Sequence, residues 1–338
     1  MADGLLIVDK PAGPTSHDVV ARMRRALREQ RIGHTGTLDP MATGVLLLVV
    51  GKATRLAKFL SAGDKSYDAV VRFGFATDTA DAQGRPLGPV SGRAMPTREV
   101  IDAALDAFRG TFMQQPPAFS AKKIDGQRSY KLARAARATR PGPRTAHPAP
   151  SHLPLDPANL RALPALPDPP TLPLPAPTSV TTTRVEILGI GADSVTLAVD
   201  CSAGFYIRSL AHDLGERLGV GAHLTALRRT RTGDFGLARA ITLDAAERDP
   251  HAASAALVPL AGMLNALPSV VLTPEGASRV AHGQDVRTID QVPSAISHQT
   301  FGKPFGQPFV QLLDASGALI AIAEAEAGGA LHPSVVLV

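Results

Sequence analysis

The hydrophobic positions along the 338-residue chain occur first in short uninterrupted runs. GLLIVDK (4–10) and GVLLLVVG (44–51) have the length and composition of buried strands. Further strands are predicted by YDAVVRFGF (67–75), TTTRVEILGI (181–190) and SVTLAVD (194–200). Because these strands alternate irregularly with helical segments, the pattern favours an α+β fold rather than a regular βαβ fold.

Helices are predicted where apolar residues recur every three to four positions. One helix extends from a cap at Ser16 to about Gln30, and another extends from Thr97 to Gly110. A third begins near Tyr206. The polar face of the first helix carries four arginines, which are either solvated or in contact with phosphates: Arg22, Arg24, Arg25 and Arg28.

Two regions differ in composition from the rest of the chain. Residues 136–180 hold 13 of the 29 prolines and lack Phe, Tyr and Trp. Such a segment buries too little apolar surface to offset its ordering entropy, so we expect a mobile insertion. Residues 266–338 contain short β-like pieces broken by Gly and Pro, which predicts a small C-terminal β module. The larger domain then comprises residues 1–265.

The charge balance favours a polyanionic partner. The net charge is +5 and the isoelectric point is about 9.6. Residues 266–338 carry three Lys or Arg against six Asp or Glu, so any nucleic-acid surface should lie mainly in residues 1–265.

Several classes of protein are disfavoured. A single cysteine, Cys201, excludes a disulfide framework and a multi-cysteine metal site. The first residues, MADGLLIVDK, resemble neither a signal peptide nor a membrane span, so we expect a cytoplasmic protein without a membrane partner. HExxH, Walker and dinucleotide motifs are absent, and we therefore expect neither a metal nor a cofactor.

One acidic residue occupies an unusually constrained position, in GHTGTLDPMATGVL (33–46). Pro40 biases Asp39 toward an extended backbone, and the neighbouring glycines permit tight turns. On local grounds an ordinary turn residue is the more common explanation of Asp39, and local hydrogen bonding is the more common explanation of His34.

A second stretch, DCSAGFYIRSLAHDLG (200–215), places Tyr206 and Arg208 at the start of the third helix. A buried arginine there would be costly without an acidic partner. Asp39 could provide the negative charge, although such a pair is more often structural than catalytic.

The order of several motifs resembles the TruB family of tRNA pseudouridine synthases. The resemblance covers about residues 4–135 and 180–265, and it includes the segment around Asp39. The remaining segments that carry it are DKPAGPTSHDVV (9–20), KSYDA (65–69), TDTADAQG (77–84), QQPPAFSAKKIDGQRSYKLAR (114–134), CSAGFYIRSLAHDLG (201–215) and GAHLTALRRTRTGDF (221–235). Residues 266–338 resemble a PUA RNA-binding module less closely, with an extra segment at about 289–308.

The resemblance implies a pseudouridine synthase fold, with a mixed, mainly antiparallel central sheet, flanking helices and a small barrel-like PUA module. It also implies site residues. Asp39 would be the catalytic carboxylate, Arg208 its counter-ion, and Tyr67 would stack on the base and help move a proton. The other implied site residues, all assigned to substrate binding, are Tyr206 and Leu227 as pocket walls, His34 in base flipping, Asp81 beside Arg208 and Lys10 in a supporting position. Arg228 and Arg229 are candidates for phosphate contacts.

The activity implied is isomerisation of uridine 55 in the T loop of tRNA, with the base flipped out of the RNA. The resemblance implies a monomer that uses no cofactor and no guide RNA. Two alternatives stay open at this stage. One is an RNA-binding protein whose site is incidental, and the other is a base-removing glycosidase.

Overall fold

The computed structural model of the chain describes residues 3–120, 122–124, 126–138, 174–287, 290, 309–326 and 329–338. Most of the predicted mobile insertion and of the extra segment at 289–308 therefore lies outside the described residues. Within them, no helix is both long and apolar enough to span a bilayer.

Strands dominate the described part of the chain. In chain order they are β1 (Gly4–Lys10), β2 (Ile32–His34), β3 (Thr43–Val50), β4 (Lys65–Phe73), β5 (Gly110–Gln114), β6 (Lys123–Ile124), β7 (Gln127–Arg128), β8 (Thr178–Ile190), β9 (Ser194–Cys201), β10 (Ala222–Thr232), β11 (Phe235–Gly236), β12 (Ile241–Thr242), β13 (Ser269–Val271), β14 (Phe309–Leu313), β15 (Leu319–Ala325) and β16 (Leu331–Val336).

Helices separate these strands at irregular intervals. They are α1 (Ser16–Leu27), α2 (Ala57–Ser61), α3 (Arg98–Leu105), α4 (Ser129–Ala138), α5 (Ile207–Leu218), α6 (Leu243–Arg248), α7 (Pro250–Ala255) and α8 (Pro274–Ala281). Short 3₁₀ turns occupy Gly51–Leu56, Asp106–Phe108, Leu237–Arg239 and Leu260–Gly262.

The larger sheet has the order β12-β1-β3-β10-β4-β9-β8-β5, with β2 added to β3 and β11 added to β10. Among the strand pairs of this sheet in the described residues, only β1–β12 and β3–β10 are parallel. The expected α+β fold with a mixed, mainly antiparallel sheet is confirmed. The β3–β10 pair requires a glycine, because a Cβ on Gly44 would lie 2.1 Å from the Arg229 carbonyl oxygen.

The second sheet has the order β13-β14-β15-β16. Across the described residues it is open at both ends, so the expected barrel-like shape of the C-terminal module is not confirmed. An apolar core joins the two sheets, since Phe59 and Leu47 of the larger part share a cluster with Phe309 and Ile322. The Phe59 and Phe309 rings meet edge to face at 5.0 Å.

Several element boundaries differ from the predictions. The cap of α1 is Thr15, which forms a capping box with Asp18, while the hydroxyl of Ser16 is used elsewhere. The helix expected to end at Gly110 ends in a 3₁₀ turn, and Gly110 begins β5. β8 begins at Thr178, three residues before the predicted start at residue 181.

Candidate active site

A cleft of about 260 Å³ opens where three parts of the larger domain meet. One wall is the loop between β2 and β3, which contains Asp39. A second is the N-terminus of α5, with Tyr206 and Arg208, and the floor is formed by β4 and β10. Residues that are far apart in sequence therefore converge on one cavity.

Asp39 is held by the backbone around it. The Ala42 amide donates to the Asp39 carbonyl at 3.0 Å, and the Leu38 amide and carbonyl both bond to the Ser16 hydroxyl, at 2.9 and 3.2 Å. Beneath the loop, the Lys10 ammonium donates to the Pro11, Pro40 and Ala42 carbonyls at 2.9, 3.2 and 2.7 Å. These bonds fix the backbone on both sides of the carboxylate before any substrate binds.

The predicted partnership of Asp39 and Arg208 is present in the structure. Arg208 Nε donates to Asp39 Oδ2 at 2.8 Å, and Nη2 donates to Oδ1 at 3.1 Å. This bidentate geometry orients the carboxylate as well as neutralising it. The Arg208 side chain is 6% exposed, whereas that of Asp39 is 32% exposed, so the carboxylate faces the cleft and the guanidinium lies behind it.

Arg208 also donates to two backbone carbonyls. Nη1 donates to the Thr79 carbonyl at 3.0 Å and Nη2 donates to the Phe119 carbonyl at 2.8 Å. Asp81 Oδ2 lies 3.8 Å from Arg208 Nε, and Asp81 Oδ1 accepts from the Thr79 hydroxyl and the Gln83 amide. Asp81 is buried beside Arg208 and does not line the cleft.

The start of α5 is fixed from β5. The buried Gln114 side chain donates to the Tyr206 carbonyl at 3.0 Å and accepts from the Tyr206 amide at 2.8 Å. The Ser209 hydroxyl donates to the Gln115 carbonyl. The residues on either side of the Arg208 position, Tyr206 and Ser209, are therefore both hydrogen-bonded to the Gln114–Gln115 segment.

Tyr67 projects from β4 into the floor of the cleft, opposite Arg229 on β10. Burial raises the pKa of the Tyr67 phenol, and the positive charge of Arg229 opposes that rise. Leu227 on β10 and Tyr206 also line the cavity, so the predicted apolar and aromatic walls lie together. Burial likewise raises the pKa of the Tyr206 phenol.

Besides Asp81, two further predicted substrate-binding residues, Lys10 and His34, lie outside the cavity lining. Lys10 is fully buried beneath the loop, and burial lowers its pKa to about 8 while the charge of Asp39 opposes the shift. The structure therefore gives Lys10 a supporting position rather than a substrate contact. His34 ends β2 beside the loop, half-buried, with its ring edge to face with His17 at 5.2 Å.

The expectation that both Arg228 and Arg229 contact phosphates is wrong for Arg229. Arg229 is 2% exposed and donates to the Val45 and Gly36 carbonyls at 2.7 and 3.0 Å. It points inward because residues on a strand alternate between the two faces of a sheet. Arg228 faces the other way and forms a bidentate pair with Asp9.

Other reactive groups in the described residues offer little alternative chemistry. No cluster of three or more His, Cys, Asp or Glu side chains there could hold a metal ion. Cys201 is buried, and burial raises the pKa of its thiol to about 12, so it is a poor nucleophile.

Comparison with known proteins decides the family. The model of the TruB family pseudouridylate synthase N-terminal domain matches residues 24–147, and that of the tRNA pseudouridylate synthase B C-terminal domain matches residues 208–265. A protein of Solibacter usitatus named tRNA pseudouridine synthase B is 37% identical over 99% of this chain and 100% of its own length. The chain belongs to the TruB family. It is accordingly an enzyme of the pseudouridylate synthase class, an isomerase.

Other relatives and structures agree with the TruB assignment. The tRNA pseudouridine synthase B of Mycobacteroides abscessus is 45% identical over 71% of both chains. The solved structure of a Cbf5-Nop10-Gar1 complex includes a chain that superposes with a TM-score of 0.68 at 25% identity, covering 100% of this chain and 85% of that one. An archaeal box H/ACA sRNP Nop10-Cbf5 complex shares the fold, with a TM-score of 0.66 at 23% identity, 100% coverage of this chain and 86% of the other.

Some residues of this TruB-family site carried no sequence signal of their own. Ser16 was predicted only as a helix cap. Gln114 and Lys65 lie in segments that resemble the family but were given no role, yet Lys65 lines the cleft and donates to the Ser61 and Gly63 carbonyls. Their roles depend on partners far away in the sequence, which a local pattern does not specify.

Proposed function

We propose that the protein converts uridine 55 in the T loop of tRNA into pseudouridine, with Asp39 as the reactive carboxylate. The observation that carries this proposal is the bidentate Asp39–Arg208 pair, in which the anion faces a cavity and its counter-ion is buried behind it. The names of the relatives support tRNA as the substrate, and the basic balance of residues 1–265 suits a polyanion.

The proposed reaction is a rearrangement. The bond from the uracil nitrogen to the ribose carbon breaks, the base turns within the cleft, and ring carbon C5 bonds to the same ribose carbon. The proton on C5 then leaves, its bonding electrons restore the ring double bond, and the freed ring nitrogen takes up a proton, so that the product is an isomer of uridine. Asp39 acts on the nucleoside in the first step, while the two hydrogen bonds from Arg208 keep it directed into the cavity.

The other residues are assigned by their positions. Tyr67 stacks on the turning base and receives the C5 proton, and Tyr206 and Leu227 confine the ring. Asp81 positions Arg208 from behind. His34 is proposed to fill the space vacated in the T loop when the base is flipped out, which offsets part of the unstacking cost of a few kcal/mol.

We also propose the wider organisation of the protein. Residues 1–265 form the catalytic domain and residues 266–338 form a PUA-like RNA-binding module, a division supported by the end of the second family match at residue 265 and the start of the second sheet at Ser269. The enzyme is proposed to act as a cytoplasmic monomer, on the T arm of tRNA, with no cofactor and no guide RNA.

The decisive experiment uses Asp39→Asn, which keeps the shape of the side chain but removes its charge. With T-arm RNA carrying tritium at uridine C5, we expect tritium release to fall at least ~10³-fold while RNA affinity stays within about threefold. Arg72→Gln is a matched control, because Arg72 is an exposed residue that pairs with Asp193 on the same sheet.

Tritium release at the wild-type rate by Asp39→Asn would overturn the catalytic assignment. Product mass separates isomerisation from base removal, because isomerisation leaves the RNA mass unchanged while a glycosidase releases free uracil.

A further inference from the structure

Arg229 is a buried cation whose charge the proposed steps leave unused. It is 2% exposed, and among the described residues it forms no ion pair with a carboxylate. Its hydrogen bonds run instead to the Val45 and Gly36 carbonyls. Burying a charge without an opposite partner is costly, so a fold that keeps one there has a use for it or a strong structural need.

The placement of Arg229 favours a use. Tyr67 and Arg229 stand directly opposite each other on β4 and β10, which brings their side chains to the same face. Both line the cleft, so the guanidinium and the phenol lie together at its floor. Its bond to Gly36 connects the same group to the loop that carries Asp39.

The other groups that face the phenol do not supply this charge. Cys201 on β9 and Asp39 on the loop both disfavour a phenolate. Arg229 is the cation that favours it among the described residues, and it opposes the pKa rise that burial imposes on Tyr67.

We propose that Arg229 is a positioning residue for the late proton transfer, placing its positive charge beside the Tyr67 oxygen at the cleft floor. This inference rests on the proposed function. In that step the phenolate oxygen accepts the proton from C5 of the rearranged base. The C5–H bond breaks, its electron pair forms the C5–C6 double bond, and the N1–C6 π electrons move to N1, which takes a proton from water. The neutral phenol later returns its proton to water.

The geometry separates this role from that of Arg208. Arg208 contacts Asp39, so its loss affects the first bond cleavage and everything after it. Arg229 contacts the tyrosine, so its loss should affect the step in which C5 loses hydrogen. An isotope effect at C5 distinguishes the two cases, because it appears only when that step limits the rate.

The test compares T-arm RNA carrying hydrogen or deuterium at uridine C5, under single-turnover conditions. We expect Arg229→Lys to slow product formation ~10- to 100-fold, which is less than the upper range for general acid–base catalysis. The reason is that a lysine ammonium cannot contact the Val45 and Gly36 carbonyls and also lie beside the phenol. We also expect its isotope effect to rise above that of the wild type, and Tyr67→Phe to behave likewise. Arg72→Lys, at an exposed ion pair on β4, should change neither quantity.

A substrate with fluorine at C5 provides a second measurement. No proton can leave from that carbon, so the chemistry stops after the new carbon–carbon bond has formed. We expect Arg229→Lys to consume this RNA within about threefold of the wild-type rate, whereas Asp39→Asn fails to consume it. If the thermal unfolding curve shows that Arg229→Lys does not fold, the C5 isotope effect and the consumption of the fluorinated RNA are both measured with Tyr67→Phe instead.

Two results would overturn the role of Arg229 and leave the proposed function intact. One is a slower Arg229→Lys or Tyr67→Phe enzyme with an unchanged isotope effect, which would indicate a general structural defect. The other is a wild-type rate with either variant. Activity of Asp39→Asn on both RNAs would instead overturn the proposed function.

Discussion

Two buried arginines line opposite parts of one cleft, and their surroundings differ in charge. The Arg208 region contains Asp39 and Asp81, so the guanidinium is compensated and serves to orient an anion. The Arg229 region offers the Val45 and Gly36 carbonyls, which accept hydrogen bonds from the guanidinium but leave its positive charge uncancelled beside the Tyr67 phenol. The same side chain therefore has two physical consequences, depending on whether a carboxylate lies beside it.

Lys65 increases the difference in charge between the Arg208 and Arg229 regions. It lies near Arg229 and lines the cleft, and burial together with the charge of Arg229 lowers its pKa to about 8. Two neighbouring cations on the floor give that side of the cleft a positive potential, which favours an electron-rich intermediate over a neutral one. In the proposed reaction the Arg208 side orients the reactive carboxylate, and the floor favours the negative charge that the proposed later steps produce.

The largest expected effect comes from breaking the compensated pair. In Arg208→Lys an ammonium cannot contact both carboxylate oxygens and the Thr79 and Phe119 carbonyls, so Asp39 loses its orientation. We expect single-turnover product formation to fall ~10²- to 10³-fold, with RNA affinity nearly unchanged. Its C5 isotope effect should stay at the wild-type value, unlike that of Arg229→Lys.

The exposed Arg72 again provides the matched lysine control. Full activity of Arg208→Lys would show that the bidentate contact is dispensable. A raised isotope effect would show that the two arginines serve the same step, and the contrast between the two regions would be lost.

A smaller effect is expected from loosening the loop on the Arg208 side alone. Ser16→Ala removes both hydrogen bonds to the Leu38 backbone. We expect a loss of about 1 kcal/mol in the free energy of unfolding. Because the displaced carboxylate meets the nucleoside less often in a reactive geometry, we also expect turnover to fall ~10-fold.

Thr182→Val is the matched control, since the buried hydroxyl of Thr182 on β8 donates to the carbonyl of Phe108 in a 3₁₀ turn, and neither residue lines the cleft. Urea denaturation and single-turnover rates would be measured on both variants. The control should lose stability without losing rate. If Ser16→Ala and Thr182→Val showed equal rates, the loop bonds would be structural only.

The fold was largely predictable because several of its strands correspond to short runs of apolar residues in the sequence. The runs at 4–10 and 44–51 became β1 and β3, and the mixed sheet followed from irregular alternation of strands with helices. Boundaries failed where two signals competed: Thr15 and Ser16 can both cap a helix, and only the loop at Leu38 determines which hydroxyl is free to do so.

The site was predictable to the extent that motifs carried it. Asp39, Tyr67 and Arg208 are placed together as the resemblance implied. Arg229 was misjudged because two adjacent arginines look alike in sequence, whereas a strand sends one to Asp9 and the other into the interior. Burial of that kind depends on the pairing of β10 with β3 and β4, which no local pattern specifies.

The smallest expected effect is a change in the pKa of His34, which reports on the uncompensated charge of Arg229. Burial lowers the pKa of His34 to about 4, and the charges of His17 and Arg229 add to the shift. Histidine NMR titration should therefore find His34 neutral well below its ordinary pKa near 6.5. In Arg229→Gln the pKa should rise part of the way toward the ordinary value, because burial and His17 persist.

The same shift makes a prediction about stability. Between pH 6.5 and 4 the unfolded chain binds a proton that the folded chain does not, so the free energy of unfolding decreases as the pH falls through this range. For the wild type at pH 5 the loss due to His34 should be about 1–2 kcal/mol, and His34→Gln should lack it. Urea denaturation of both proteins at pH 7 and pH 5 measures the difference. Two outcomes would contradict this account: an equal pH dependence of stability in the wild type and His34→Gln, or a His34 pKa that does not change in Arg229→Gln. Either would mean that the charge on the cleft floor is screened. The contrast with the Arg208 region would then lack its electrostatic basis.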